Sequence, residues 1–230
     1  MTPPRVVALV PMRHHSERVP GKNYRPLAGK PLFHWILETL LAVPTIAEVV
    51  VDTDSPLITQ GVREYFPRVR VLERPEHLRD GHIPMNEVLL HDVRQVPGDF
   101  YLQTHSTNPL LRAETVERAI RTFLAHYPAY DSLFSVTRIQ TRLWDQLARP
   151  INHNPAILLR TQDLPPVYEE NSCLYIFSRD LLERRRNRIG ERPYLFEIPA
   201  EEALDIDEEI DFLMADFLAR RRLTQPDPEE

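Results

Sequence analysis

Apolar positions along the chain fall into short runs that alternate between two periods. Val6-Val-Ala-Leu-Val10 is a continuous apolar run, the mark of a strand covered on both faces. Over Pro31–Leu41 the apolar residues Leu32, Phe33, Ile36, Leu37, Leu40 and Leu41 take helical spacing, and Pro31 suits a first helical position. The same alternation continues with a strand at Glu48–Asp52, a short helix at Ile58–Tyr65, a strand at Val69–Leu72 and a helix at Met85–Val96. A strand at Phe100–Thr104, an amphipathic helix at Glu114–Tyr127 and a strand at Ser132–Ile139 follow. This rhythm predicts an α/β fold: a three-layer α/β/α arrangement around a mainly parallel mixed sheet. In such folds chemistry collects on the loops that leave the C-terminal ends of the strands.

The rhythm breaks over residues 140–170, a stretch richer in polar residues and proline (Pro150, Pro155, Pro165, Pro166). It reads as a small inserted flap or dimerisation arm with short strands of its own. Order returns with a strand at Cys173–Phe177, a helix near Leu181–Arg188 and a strand at Tyr194–Ile198. A last helix, Glu208–Arg221, carries Ile210, Leu213, Met214, Phe217 and Leu218 on one side. The tail "TQPDPEE" is acidic and proline-punctuated, and is expected to fray. A single domain over residues 1–230 is the expected organisation.

Composition narrows the classes. Apolar residues make up 42% of the 230, spread along the whole length, as a globular core requires. No apolar stretch approaches the roughly 20 residues of a membrane span. The first residues lead straight into a strand without a signal-peptide core, so a cytoplasmic location is expected. The single cysteine, Cys173, excludes an internal disulfide framework and a cysteine-rich zinc site, and reads as a core residue of its strand. A net charge of −6 argues against a nucleic-acid groove. The arginine groups Arg184–Arg188 and Arg220–Arg222 sit among acidic residues and read as solvated helix faces.

Against that acidic balance, the stretch "PMRHHSERVPGKN" after the first strand is unusual. It offers Arg13, Ser16, Arg18, Lys22 and Asn23, with Pro20-Gly21 as the turn. Arginine presents a planar fork to phosphate oxygens and lysine a mobile point charge. Backbone N–H groups in a tight turn add an anion-binding nest. Neither "GxxxxGK[ST]" nor "GxGxxG" is present, so the stretch is neither a P-loop nor a dinucleotide fingerprint.

The pattern "R-x-x-S-x-R-x-P-x-K-N" followed by "P-L-A-G-K-P-L" resembles the opening signature of the acylneuraminate cytidylyltransferase family. That family includes CMP-sialic acid synthetases and, more distantly, CMP-3-deoxy-manno-octulosonate synthetases. The resemblance continues through "EVVVDTDS", "RPEHLRD", "HSTNPLL", "ENSCLYIF" and "LDIDEEIDF", in the family's order and over nearly the full length. It implies transfer of CMP from CTP to the anomeric hydroxyl of an acidic, sialic acid-like sugar, with release of pyrophosphate, by a homodimer. It further implies that Arg13, Ser16, Lys22, Asn23, Arg74 and Asp80 bind the nucleotide, with Arg13 and Lys22 in the catalytic role. Glu17 stands where sialic acid synthetases usually carry a lysine, and is expected to point away from a triphosphate.

Two Asp-x-Asp pairs can offer paired carboxylates to one cation, Asp52/Asp54 and Asp205/Asp207. Each also has an ordinary use: Asp54 and Asp207 both stand where a helix N-cap is expected. The resemblance assigns Mg2+ to Asp205 and Asp207. On the sugar side it places His105, Thr107 and Asn171. Glu169-Glu170 stand where sialic acid synthetases carry an arginine and a proline, so Arg138, Arg142 or Arg160 is expected to compensate from the flap, with Arg160 counted as sugar-binding. Two other readings stay open: a glycosyltransferase of related fold using Asp52-Thr-Asp54 for its metal, and a non-catalytic homologue that binds nucleotide or sugar.

Overall fold

Seven strands form one sheet in the computed structural model, which describes residues 3–224. The elements run β1 (Val6–Met12), β2 (Pro26–Leu27), β3 (Lys30–Pro31), α1 (Leu32–Leu41), β4 (Ile46–Thr53), α2 (Pro56–Tyr65), β5 (Arg70–Glu73) and α3 (Met85–Gln95). There follow β6 (Phe100–Thr104), α4 (Ala113–His126), β7 (Ser132–Ile139), β8 (Val167–Ser178), α5 (Arg179–Arg185), β9 (Pro193–Glu197) and α6 (Glu209–Thr224). The strand order is β5-β4-β1-β6-β8-β7-β9, with β2 and β3 as a separate ribbon. β8 pairs antiparallel with both its neighbours, and the other pairings in the sheet are parallel. This is the expected mixed, mainly parallel sheet.

Alternation along β1 explains the layers. Val6, Ala8, Val10 and Met12 face a core shared with α1, α2 and α4, while Val7 and Leu9 face one shared with α3 and α5. Both faces are covered, which is why the run is apolar throughout. Cys173 is buried in β8, and burial pushes its thiol well above the usual range, so it is packing rather than a nucleophile. The expected insertion begins where β7 ends, but β8 starts at Val167, and its residues 167–170 pair with β7. Residues 140–166 are therefore the long tip of a β7–β8 hairpin. The short strands expected there reduce to an isolated Trp144–Pro150 bridge.

A third, smaller core governs the site. Val19 from the basic loop, Leu27, Leu32 and Trp35 pack with Ile206 and with Phe212, Ala215 and Ala219 of α6. The side of α6 that the sequence marks as apolar faces outward: Ile210, Leu213, Met214 and Phe217 are exposed, and the helix docks through Phe212, Ala215 and Ala219. Apolar residues occur all round this helix, so periodicity alone did not single out the docked side. The remaining tail residues, 225–230, lie outside the described residues.

The segment that leads into α6 is fastened at two further points. Glu202, almost fully buried, accepts hydrogen bonds from the Arg112 N–H at 2.9 Å and the Thr115 hydroxyl at 2.9 Å, placing a carboxylate at the N-terminus of α4. The Ile206 N–H donates to the Thr107 carbonyl at 3.0 Å. Ile206 has no exposed surface, so Ile206→Ala is expected to cost about 2–5 kcal/mol. Urea denaturation checks this, and an unchanged midpoint would show that the small core does not hold the segment.

Candidate active site

The basic loop leaves the C-terminal end of β1, as the fold class predicts. Gly21 sits at φ +67°, where a Cβ would meet the Tyr24 ring at 2.9 Å, so the turn before Lys22 requires glycine. Asn23, nearly buried, spends its amide inside the protein: Nδ2 donates to the Arg13 carbonyl at 2.8 Å, and Oδ1 accepts from Ser106 at 2.6 Å. It ties the loop to the end of β6. His14 is pinned as well, its N–H donating to Asp54 at 2.8 Å and its ring bonded to Ser55 at 2.8 Å.

The loop forms one wall of a cleft of about 440 Å3. Arg13, Ser16, Arg18, Lys22 and Asn23 line it, with Arg74 on its floor and Asp205 and Asp207 opposite. The convergence of cations from the start of the chain with paired carboxylates from near its end is direct. Arg18 bonds Asp207 at 2.6 Å, Lys22 Nζ lies 3.9 Å from the same carboxylate, and Lys22 also donates to the Ile206 carbonyl. Burial lowers the Lys22 pKa, Asp205 and Asp207 act against that, and Arg18 and Arg13 add to it. Burial and neighbouring Asp207 raise Asp205, while a hydrogen bond with Thr107 opposes them.

Asp205 and Asp207 fit a divalent cation. One Asp205 oxygen is buried without a hydrogen-bond partner. The Asp207 carboxylate is turned to Arg18 at 2.6 Å, and it is Asp211 that reaches back to accept from the Asp207 and Glu208 N–H groups at 3.0 and 2.8 Å. The other pair does not present such a site. Asp52 forms a buried ion pair with Arg74, and Asp54 anchors His14, while Ser55 caps α2. Asp52, His91 and Asp92 do bring ligand atoms within 4.8 Å of one another. There, however, the ion pair with Arg74 is sealed from solvent, whereas the one between Arg18 and Asp207 is half-exposed at the cleft.

Several expected residues have other partners. Glu17 lines the cleft with Arg13 instead of pointing away, and both side chains lie close to Gly81. Asp80 accepts from the His82 N–H at 2.8 Å and shapes the turn, whereas Gly81 and His82 reach the cleft wall. Thr107 lines the cleft, and its carbonyl accepts from the Ile206 N–H. Asn171 lines an adjoining compartment of about 480 Å3, with its amide engaged by Ser135 at 2.5 Å and Thr137 at 3.0 Å. Arg160 is exposed on the hairpin tip and pairs with Asp163 at 2.7 Å, Arg142 donates to Leu159, and Arg138 is exposed on β7. None of the three lines either cavity.

His105 lines the cleft, and behind it stands a residue the sequence hid, Arg188. In the run Arg184–Arg188 nothing local separates it from its neighbours. Arg184, Arg185 and Arg186 are exposed and paired with Asp180, Glu191 and Glu87, as a solvated face should be. Arg188 turns inward over the Tyr175 ring, 3.5 Å from its centroid.

Beneath the cleft, Asp92 has no exposed surface and sits against Asp52. Burial, followed by the charge of Asp52 and a hydrogen bond to it, pushes Asp92 up to about 9, with Arg74 opposing. The Asp92 carboxyl is held protonated, and the proton joins two of the three otherwise unpartnered oxygens of the pair. The raised value means that the folded protein holds a proton the unfolded chain has released, so this group costs stability as pH climbs from about 4 toward 9. Asp92→Asn is expected to flatten that slope, so its melting-temperature advantage over the parent should grow between about pH 5 and pH 8. Parallel melting curves of the two proteins would overturn the assignment.

Comparison with known proteins bears on this geometry. A family model described as "Cytidylyltransferase" matches residues 7–223. N-acylneuraminate cytidylyltransferase A of Danio rerio is 27% identical over 218 residues, which is 92% of this chain and 50% of that protein. The chain thus spans about half the length of that relative. CMP-N,N'-diacetyllegionaminic acid synthase of Legionella pneumophila is 28% identical over 228 residues, covering 93% of this chain and 96% of that protein. Among solved structures, a CMP:2-keto-3-deoxy-manno-octonic acid synthetase complexed with CTP superposes with a TM-score of 0.69 over 95% of this chain and 99% of that one, at 18% identity, a likeness of fold.

Proposed function

We propose that this chain, which belongs to the cytidylyltransferase family, transfers CMP from CTP to a hydroxyl of an acidic sugar and releases pyrophosphate. The observation that carries the reading is the meeting of Lys22 and Arg18 with Asp207 across one cleft that Asp205 also lines. A triphosphate with its cation presents the charges that such a pair of walls complements.

In the reaction the acceptor hydroxyl oxygen bonds to the α-phosphorus of CTP as the bond from that phosphorus to the β-phosphate oxygen breaks. Pyrophosphate departs and the hydroxyl proton is released. Arg13 and Lys22 bind the phosphates and stabilise the charge that builds on the leaving group. Asn23 holds the Arg13 backbone in position for this. Asp205 and Asp207 would hold Mg2+, which when bound neutralises phosphate charge and lowers the pKa of a coordinated hydroxyl. The Thr107 carbonyl, accepting from the Ile206 N–H, fastens the segment between the two aspartates. Three residues, Ser172, Asp205 and Asp207, line both the cleft and the adjoining compartment, which suits a donor in one and an acceptor in the other.

A pyrophosphate-release assay of CTP against a panel of nonulosonic and octulosonic acids tests the reading. Lys22→Ala is expected to lower turnover at least about 100-fold with the circular dichroism spectrum unchanged. An unchanged rate would remove Lys22 from the mechanism, and no release with any acceptor would remove the reaction.

A homodimer is part of the same reading. The hairpin tip exposes Trp144, Leu147, Ile151, Ile157 and Leu158, the last at 90%, an apolar surface that a second subunit could cover. Sedimentation should give a dimer for the parent and a monomer for the Ile157→Glu/Leu158→Glu double variant. A monomeric parent would refute it. A cytoplasmic location completes the proposal, and among the described residues no helix is long and apolar enough to cross a membrane.

A further inference from the structure

We propose that Arg188 is a positioning residue for the acceptor: by holding the Gln103 side chain it fixes His105 in the tautomer that carries its proton on Nδ1, so that His105 offers the cleft a hydrogen-bond donor. The acceptor role rests on the cytidylyl-transfer reading above; the tautomer does not.

The inference follows from what each atom can do. Arginine has only donors, so the Gln103 atom facing Arg188 Nη1 is the amide oxygen. The amide nitrogen then faces the Thr104 carbonyl at 3.1 Å and His105 Nε2 at 2.9 Å. Both of these must accept. His105 Nε2 therefore carries no proton, and the proton of the neutral ring sits on Nδ1. The two Gln103 nitrogen contacts and the one oxygen contact agree, so the amide has a single consistent orientation.

The anchor itself is held firmly. The Arg188 guanidinium stacks over Tyr175, and its backbone N–H donates to Asn86 at 3.2 Å. The Tyr175 hydroxyl in turn donates to Glu170, and lies 3.2 Å from the Ser172 hydroxyl at the junction of the two cavities. The charged groups that act on His105 are Arg188 and Lys22, both positive. Burial, then Arg188, then Lys22 push the ring down to about 3, so it stays uncharged at neutral pH. With Nε2 occupied and Nδ1 protonated, His105 is a donor to an oxygen of the acceptor and is unsuited to act as the base that takes the hydroxyl proton.

Long-range 1H–15N spectra of the free, histidine-labelled protein read the tautomer without any substrate. The expected pattern is Nδ1–H, unchanged over about pH 5.5–8.5. An Nε2–H pattern or an imidazolium at pH 7 would overturn the proposal. Gln103→Glu keeps the shape but accepts from both Arg188 and His105, so the ring should gain a proton on Nε2 and titrate at higher pH. The acceptor KM should rise at least about 10-fold, with the CTP KM within about 2-fold of the parent. Arg188→Met, which leaves an apolar stem on Tyr175, should give a mixture of tautomers and the same selective rise in acceptor KM. Equal changes in both KM values, or none, would overturn the positioning role. An inactive parent with the expected spectrum would sink the transfer reaction and the acceptor role together, while leaving the tautomer assignment in place.

Discussion

The site depends on one small apolar core: Val19 of the basic loop and Ile206 of the segment before α6 are both buried in it without exposed surface. Each belongs to a polar stretch whose other side chains would stay in water if burial did not place them. Burying such a side chain stabilises by roughly 1.5–3 kcal/mol, and the two together set the spacing of the cleft walls. Ile206 is flanked by Asp205 and Asp207, so packing its side chain away leaves both neighbours at the cleft. The same small core that closes the fold at this end thereby delivers opposite charges to one place, although almost the whole chain separates them in sequence.

That delivery carries an electrostatic cost that ligand binding can turn to use. Lys22 and Asp205 are both destabilised in their charged forms by burial, and Asp205 also by Asp207. Arg18 lies at Asp207 in the free protein, and Arg74 is already neutralised by Asp52. On the proposed function, a triphosphate with a divalent cation would add partners to both sets. Preorganised charge of this kind is most effective where water is scarce, because no reorganisation is then needed as the leaving group develops its charge.

Much of the fold was legible because period and burial agree. β1 reads as a doubly buried strand and proves to be one, and α1 and α4 keep their apolar spacing on the packed side. Legibility failed where a residue's environment is set by distant chain. The outward apolar positions of α6 and the inward Arg188 look like their neighbours in sequence, and only the packing of α6 on Trp35 and of Arg188 on Tyr175 separates them. Within the site, the cationic loop stood out by residue type, whereas the two Asp-x-Asp pairs looked alike and only the family resemblance chose Asp205 and Asp207. Asp80, Thr107 and Asn171 proved to be engaged in the protein's own hydrogen bonds, which pattern cannot show. Glu17, expected to point away, lines the cleft, because the fold of the loop and not its charge alone decides which way it faces.

The division of the cavity argues for how donor and acceptor are kept apart. Arg13, Arg18, Lys22 and Arg74 all border the cationic cleft, and no arginine or lysine borders the adjoining compartment, where Glu169 and Glu170 stand with Asn171 and Ser172. A polyanion therefore has a clear preference between the two, and on the proposed function CTP in the cationic cleft would leave the other compartment open to the acceptor. The potential falls from positive to negative across the junction at Asp205 and Asp207, so a cation held there would lie on the boundary where the new bond must form. On this view the carboxylates of β8 do more than line a pocket: they discourage the triphosphate from entering the space its reaction partner needs.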